Sequence, residues 1–146
     1  MSETPAGEAR PLGNPPGSGD AGPGEGGGGI STHVLDTARG APAPGVPVAL
    51  ARHVPDPPDV DAGLWHAVGA GVTDADGRCR ALLPPGTPLT EGVWRLTFDT
   101  AAYFEAAGVT GFYPHVTIAF EVADAGQHHH VPLLLSPYGY ATYRGS

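Results

Sequence analysis

At 146 residues the chain has room for one domain, and a formal net charge of −8, with seven arginines and no lysine, leaves no basic surface for a phosphate backbone. Nucleic acid is thereby excluded as a partner, and the lack of any membrane-length apolar run excludes a bilayer. The single cysteine, Cys79, rules out an internal disulfide and any multi-thiolate zinc site within one chain.

Residues 1–29 hold ten glycines and five prolines, with Met1 and Leu12 the only large apolar side chains. Burial there cannot offset the entropy of ordering, so a disordered tail is expected, followed by one domain over residues 30–146. Glu3, Glu8, Asp20 and Glu25 against Arg10 put −3 of the charge on the tail and leave −5 on the domain. The start lacks the basic residues and apolar run of a secretory signal, so a soluble, cytoplasmic protein is expected.

From Ile30 the composition changes abruptly. Residues 30–37, rich in β-branched side chains, predict a first strand, and the Pro/Gly-rich residues 38–45 a connection. Residues 46–52 predict a second strand with Val46, Val48 and Leu50 on one face, and residues 55–63, with three prolines and three aspartates, a loop. Residues 64–72 predict a third strand, with Leu64, His66, Val68 and Ala70 on one face and Trp65 and Ala67 on the other. Asp76-Gly77 is a hairpin signal that returns Arg78 on a short neighbouring strand, because tight primed turns need positive φ.

Residues 93–98 alternate as a strand with Trp94, Leu96 and Phe98 on one side. Asp99-Thr100 offers an N-cap, residues 101–107 are good helix formers, and Gly108 stops them. Val116, Ile118, Phe120 and Val122 mark a half-buried strand, and residues 131–135 and 138–143 two more, broken by Ser136-Pro137. About eight short strands with one helix predict an all-β protein, an antiparallel sandwich.

The chemistry-bearing residues concentrate at the end of the chain. In an extended segment His128 and His130 share a face, while His129 points the other way. Of the remaining histidines, His53, His66 and His115 have no companion pattern and read as surface or structural residues. Cys79, beside Arg78 after the Asp-Gly turn, reads as a small half-buried thiol. Three imidazoles, His33, His128 and His130, could by themselves serve as the ligand set of a hydrolytic zinc site.

Four stretches together resemble the 5-hydroxyisourate hydrolases, the enzymatic branch of the transthyretin family. They are STHVLDT at residues 31–37, GVTDADGRC at 71–79, LTFDTAAYFEAAGVTGFYPHVTIAFEV at 96–122, and the ending HHHVPLLLSPYGYATYRGS. Several motifs in order over residues 30–146 are far more specific than a lone short pattern. The resemblance implies a transthyretin-like sandwich of two four-stranded sheets with one short helix. It also implies a homotetramer, a dimer of dimers with pockets at the interface between dimers.

The implied reaction opens the cyclic amide of 5-hydroxyisourate to 2-oxo-4-hydroxy-4-carboxy-5-ureidoimidazoline in urate catabolism. The catalytic positions fall on His33, Arg78 and His130, and the substrate-binding positions on His33, Arg78, Tyr143, Arg144, Gly145 and Ser146, with His128 in support. The family's chemistry uses no metal and no cofactor. The residue types fit it: imidazole can take a proton from water near neutral pH, and a permanently charged planar guanidinium can hold a carbonyl-rich ring and offset an oxyanion. The alternative is a non-enzymatic carrier of a small ligand, which would lack the three site residues and the Tyr-Arg-Gly-Ser tail.

Overall fold

The computed structural model describes residues 28–54 and 64–146. The expected tail up to residue 27 and the expected loop at residues 55–63 lie outside the described residues. Gly28 and Gly29 are already engaged with the domain. The Gly28 N–H donates to Ala125 O at 3.0 Å, and the Gly29 carbonyl accepts from the His129 N–H at 2.8 Å.

The described residues form nine strands and one helix: β1 (Ile30–Asp36), β2 (Ala41–Pro42), β3 (Pro47–Val54), β4 (Leu64–Val72), β5 (Arg78–Cys79), β6 (Gly92–Phe98), α1 (Thr100–Ala106), β7 (Val116–Val122), β8 (His129–Ser136) and β9 (Gly139–Thr142). One sheet has the order β4-β3-β6-β7 and is antiparallel throughout. The other runs β9-β8-β1-β2, with β5 also paired to β1.

The predicted sandwich is present, with two differences of detail. The second sheet has five strands rather than four, because two two-residue strands share one edge of β1: β5 pairs with Thr32 and His33, β2 with Leu35 and Asp36. In addition, β1 and β8 pair in parallel, from Ile30 opposite His129 to Asp36 opposite Leu135. Parallel neighbours require a crossover, and here nearly the whole domain serves as one.

Strand alternation decides what meets between the sheets. Ile30, Val34, Val131, Leu133 and Leu135 from one sheet join Val48, Leu50, Trp94, Leu96, Phe98, Val116, Ile118 and Val122 from the other in a single buried cluster. Leu82 and Leu89, from the connection between β5 and β6, complete it. Each such side chain contributes roughly 1.5–3 kcal/mol of burial. Thr32 and Asp36 are the polar residues of β1 on this side, and the Thr32 hydroxyl donates to Val131 O at 2.6 Å.

Two local predictions change for tertiary reasons. In β4 the pairing with β3 shifts register between Leu50 and Ala51, so Gly69 rather than Val68 lies opposite Leu50, and Ala70 lies opposite Ala49 on the outer face. The predicted Leu64-His66-Val68-Ala70 face is therefore broken at the bulge. Glycine is required on the inner side there: a Cβ on Gly69 would come within 2.0 Å of Leu82 O, and one on Gly71 within 2.6 Å of Cys79 Sγ.

The Asp76-Gly77 turn forms as predicted, with Gly77 at φ 76° and Asp74 Oδ1 accepting from the N–H groups of Asp76 and Arg78. Its second arm does not return to β4, because the open edge of β1 captures it. The Val34 N–H donates to Gly77 O at 2.7 Å, and β5 joins the opposite sheet. This switch between sheets is what carries Arg78 to His33.

Helix α1 matches its sequence signals. Asp99 caps it by accepting from the Ala102 N–H at 3.0 Å. Tyr103 anchors the helix to the end of β1, its hydroxyl donating to Asp36 Oδ2 at 2.6 Å, and burial ahead of this bond raises the Tyr103 pKa.

Candidate active site

The outer face of the five-stranded sheet carries the site. Since Ile30, Thr32 and Val34 point inward, Ser31 and His33 point outward. On β8 the inward residues are Val131, Leu133 and Leu135, so His130 and Pro132 share the outer face. The parallel register sets Ser31 opposite His130 and His33 opposite Pro132, while β5 sets Arg78 opposite His33 on the other flank. Residues separated by almost the whole sequence thus form one row of side chains.

His128 and His130 converge on a residue that their spacing alone did not reveal. Ser31 Oγ lies 2.8 Å from His128 Nε2 and 2.8 Å from His130 Nδ1. The available signal was its place two residues before His33, on the same face of the same strand. His33 is held differently, with Nε2 2.9 Å from the Asp76 carbonyl at the β4–β5 turn. The three imidazoles therefore do not form one ligand set. Among the described residues no group of three or more His, Cys, Asp or Glu side chains is arranged to hold a metal ion. His129, on the opposite side of the strand, is buried with Nδ1 2.9 Å from Gln127 O.

The surroundings of His33 and His130 favour the neutral form of both rings. Burial is the first cause and the Arg78 guanidinium the second in lowering the pKa of His33; the carbonyl of Asp76 and the carboxylates of Asp74 and Asp76 oppose them. His130 is pushed down to about 4, first by burial, then by the charges of Arg78, His128 and His33. Both rings face a permanent cation and hold free base at neutral pH.

The tail crosses β8 at this point. The Gly145 N–H donates to His130 O at 2.9 Å, and a Cβ on Gly145 would stand 2.5 Å from His130 Cδ2, so only glycine lets the backbone lie this close to the ring. Thr142 Oγ1 donates to Pro132 O at 2.7 Å and fixes the approach. Arg144 is turned to Gln127 Oε1 at 3.1 Å, and Tyr143 and Ser146 are exposed on the rim. His33, Arg78, His128, His130 and Gly145 are thus brought together. Tyr143, Arg144 and Ser146 are exposed around Gly145 in the tail. The predicted bystanders His53, His66 and His115 lie outside this face: His53 stacks edge-on against Trp65, and His66 lies opposite Arg52 in the other sheet.

A two-sheet sandwich with imidazoles gathered beside a guanidinium on one outer face has the architecture of a transthyretin-like protein. Comparison with known proteins agrees: the HIUase/Transthyretin family model matches residues 30–145, and the chain belongs to that family. It is 43% identical over 117 residues to 5-hydroxyisourate hydrolase of Salmonella dublin, covering 80% of each chain. The structure of Klebsiella pneumoniae 5-hydroxyisourate hydrolase superposes with a TM-score of 0.65 at 36% identity, over 81% of this chain and 99% of that one. Transthyretin from Sparus aurata gives a TM-score of 0.67 at 30% identity, over 80% and 95%. The fold is thus shared with both the hydrolase and the transthyretin.

Proposed function

We propose that the chain is a 5-hydroxyisourate hydrolase of urate catabolism, acting on a small-molecule substrate and opening its cyclic amide to 2-oxo-4-hydroxy-4-carboxy-5-ureidoimidazoline. The observation that carries this reading is the convergence of His33, Arg78 and His130 on one outer sheet face, with Gly145 packed on His130. The hydrolase relatives support the substrate.

In this reading the planar, carbonyl-rich ring lies over the face beside Arg78, whose fork of donors binds carbonyl oxygens and offsets the negative charge that develops as water adds. A neutral imidazole takes the water proton. His130 suits that role because Nδ1 is the ring nitrogen that meets Ser31 Oγ and its low pKa keeps the ring unprotonated. His33, fixed by the Asp76 carbonyl, positions the substrate from the other side. Every step uses groups of this chain and water.

The site is completed by assembly. The described strands end in β9, an open edge, next to a group of exposed aromatics: Tyr138 is 70% exposed, Phe112 66% and Tyr143 56%. Open edges and clustered aromatics are features that oligomers cover. A homotetramer built as a dimer of dimers, with the site sheet facing a second subunit, would close Tyr143, Arg144 and Ser146 over the cluster. Among the described residues no helix is long and apolar enough to cross a membrane, and a cytoplasmic location fits the reading.

The decisive experiment mixes purified protein with freshly generated 5-hydroxyisourate and follows its ultraviolet absorbance. Decay much faster than the spontaneous reaction is expected. No acceleration, together with saturable binding of small aromatic ligands, would make the protein a carrier.

A further inference from the structure

The Ser31 hydroxyl has one proton and two imidazole partners, each at 2.8 Å. Ser31 is only 6% exposed, and no third partner of the hydroxyl exists among the described residues. A hydroxyl donates once and accepts through its lone pairs. It therefore donates to one histidine and accepts from the other, because two donating imidazoles would leave its own proton buried without an acceptor. The protonation of His128 Nε2 is thereby tied to that of His130 Nδ1.

We propose that Ser31 is a positioning residue that links His130 to His128 in a proton relay, so that the proton His130 takes from water comes to rest on His128. The proposal rests on the hydrolytic reading above. Before reaction, His130 Nδ1–H donates to Ser31 Oγ and Ser31 Oγ–H donates to His128 Nε2, which leaves His130 Nε2 as a free base toward the substrate face. As water attacks the amide carbonyl, its proton moves to His130 Nε2. The Nδ1 proton passes to Ser31 Oγ, and the serine proton passes to His128 Nε2. A C–O bond forms, the carbonyl electrons move to an oxyanion facing Arg78, and the positive charge appears on His128.

The shift leaves His130 neutral but with its proton now on Nε2. That proton is then given to the amide nitrogen as the C–N bond breaks, and the relay runs backward to restore Nδ1–H from His128. One ring thus serves as base and then as acid, as ring opening requires.

The surroundings of His130 explain why a relay is useful. A base with a pKa of about 4 accepts a proton at neutral pH only against a large adverse driving force. Arg78, His33 and His128 are the charged or titratable groups bearing on it, and burial and the Arg78 guanidinium lead in opposing an imidazolium there. Arg144, the other nearby cation, is engaged with Gln127. Handing the proton through Ser31 removes the charge from the ring that these neighbours penalise most.

The test compares the full chain with Ser31→Ala, Ser31→Thr and His128→Phe, with melting curves to establish folding. Turnover is measured in mixtures of H₂O and D₂O. The parent should show a bowed dependence on deuterium fraction, the mark of several protons in flight. Ser31→Ala and His128→Phe should lose about 10²-fold in kcat with little change in KM, and their dependence should become linear. Ser31→Thr, which keeps the hydroxyl, should restore the bow and most of the rate. A linear dependence in the parent, or a bowed one in Ser31→Ala, overturns the relay. Nitrogen-15 spectra of the histidine rings test the pair without substrate: the same tautomer in both rings, which places one proton between His128 Nε2 and His130 Nδ1, supports the link, and opposite tautomers, which protonate both of those nitrogens or neither, overturn it. An inactive parent with like tautomers would instead sink the hydrolase reading and leave the coupled pair standing.

Discussion

The two sheets bury similar inner faces and present very different outer ones. On β1, β5 and β8 the outer face collects Ser31, His33, Arg78 and His130, with His128 just before β8. The outer face of the β4-β3-β6-β7 sheet collects Ala49, Ala51, Ala67, Ala70 and Thr97 around Trp65 and Arg95. Its one cation near the centre is spent on packing: the Arg95 guanidinium stands 4.2 Å from the Trp65 ring centroid, and its buried Nε has no hydrogen-bond partner among the described residues. Both faces carry an arginine, and the second also has a concave surface. Only the first surrounds its arginine with bases, held within hydrogen-bond reach by a second strand and a turn. Chemistry therefore follows from which residues the register brings together, and concavity by itself says little.

The comparison can be broken most severely by removing the tail from the active face. Deleting residues 143–146 should abolish measurable turnover while leaving circular dichroism and melting nearly unchanged, because Gly145 covers His130 and contributes little to the core. A fully active truncated protein would show that the tail is no part of the site.

Single substitutions on the active face come next. His33→Ala, Arg78→Ala and His130→Ala should each lower kcat/KM by roughly 10²–10⁴-fold with the fold retained. Near-normal turnover by His130→Ala would remove that ring from the mechanism.

Titration sharpens the contrast further. Followed by NMR, His130 should titrate near 4 in the full chain and return toward the ordinary 6.5 when burial is relieved by the tail deletion or the neighbouring charge by Arg78→Ala. The sign of the linked stability follows directly. The unfolded state binds this proton at higher pH than the folded state, so the contribution is complete above about 6.5 and is lost as pH falls toward about 4. A rise in melting temperature on going from pH 7 to 5 would contradict it.

Two smaller effects complete the series. Treatment with a chelator followed by desalting should leave turnover unchanged, and loss of activity restored by zinc would return His33, His128 and His130 to the metal-site alternative. On the opposite face, Arg95→Met should leave kcat and KM as they are and cost about 1 kcal/mol or less, the worth of a partly exposed cation–π contact. A large loss of turnover there would show that the two faces are not independent.

Much of the architecture was legible because its signals are local. Alternation at residues 30–37, 93–98 and 116–122, the Asp99 cap and the Asp76-Gly77 turn each depend on neighbours within a few positions, and each appears where expected. The candidate site residues His33, Arg78 and His130 were singled out through motif resemblance, and the shared face of His128 and His130 through the two-residue period of a strand. Pairing was not legible. Nothing near Arg78 indicates that β5 will leave β4 for the edge of β1, and nothing in residues 64–72 indicates the bulge that turns Gly69 inward and Ala70 outward.

The sequence by itself thus determined the kinds of element, the residues able to do acid-base work, and an acidic chain with no surface for nucleic acid. Only the tertiary structure brings Ser31 to the histidine cluster, where its hydroxyl meets histidines 97 and 99 positions away in sequence. The physical reason is the parallel pairing of β1 with β8. Backbone hydrogen bonds and the burial of Val34, Leu133 and Leu135 fix that register over the length of both strands, and a slip of one residue would turn Ser31, His33 and His130 into the core.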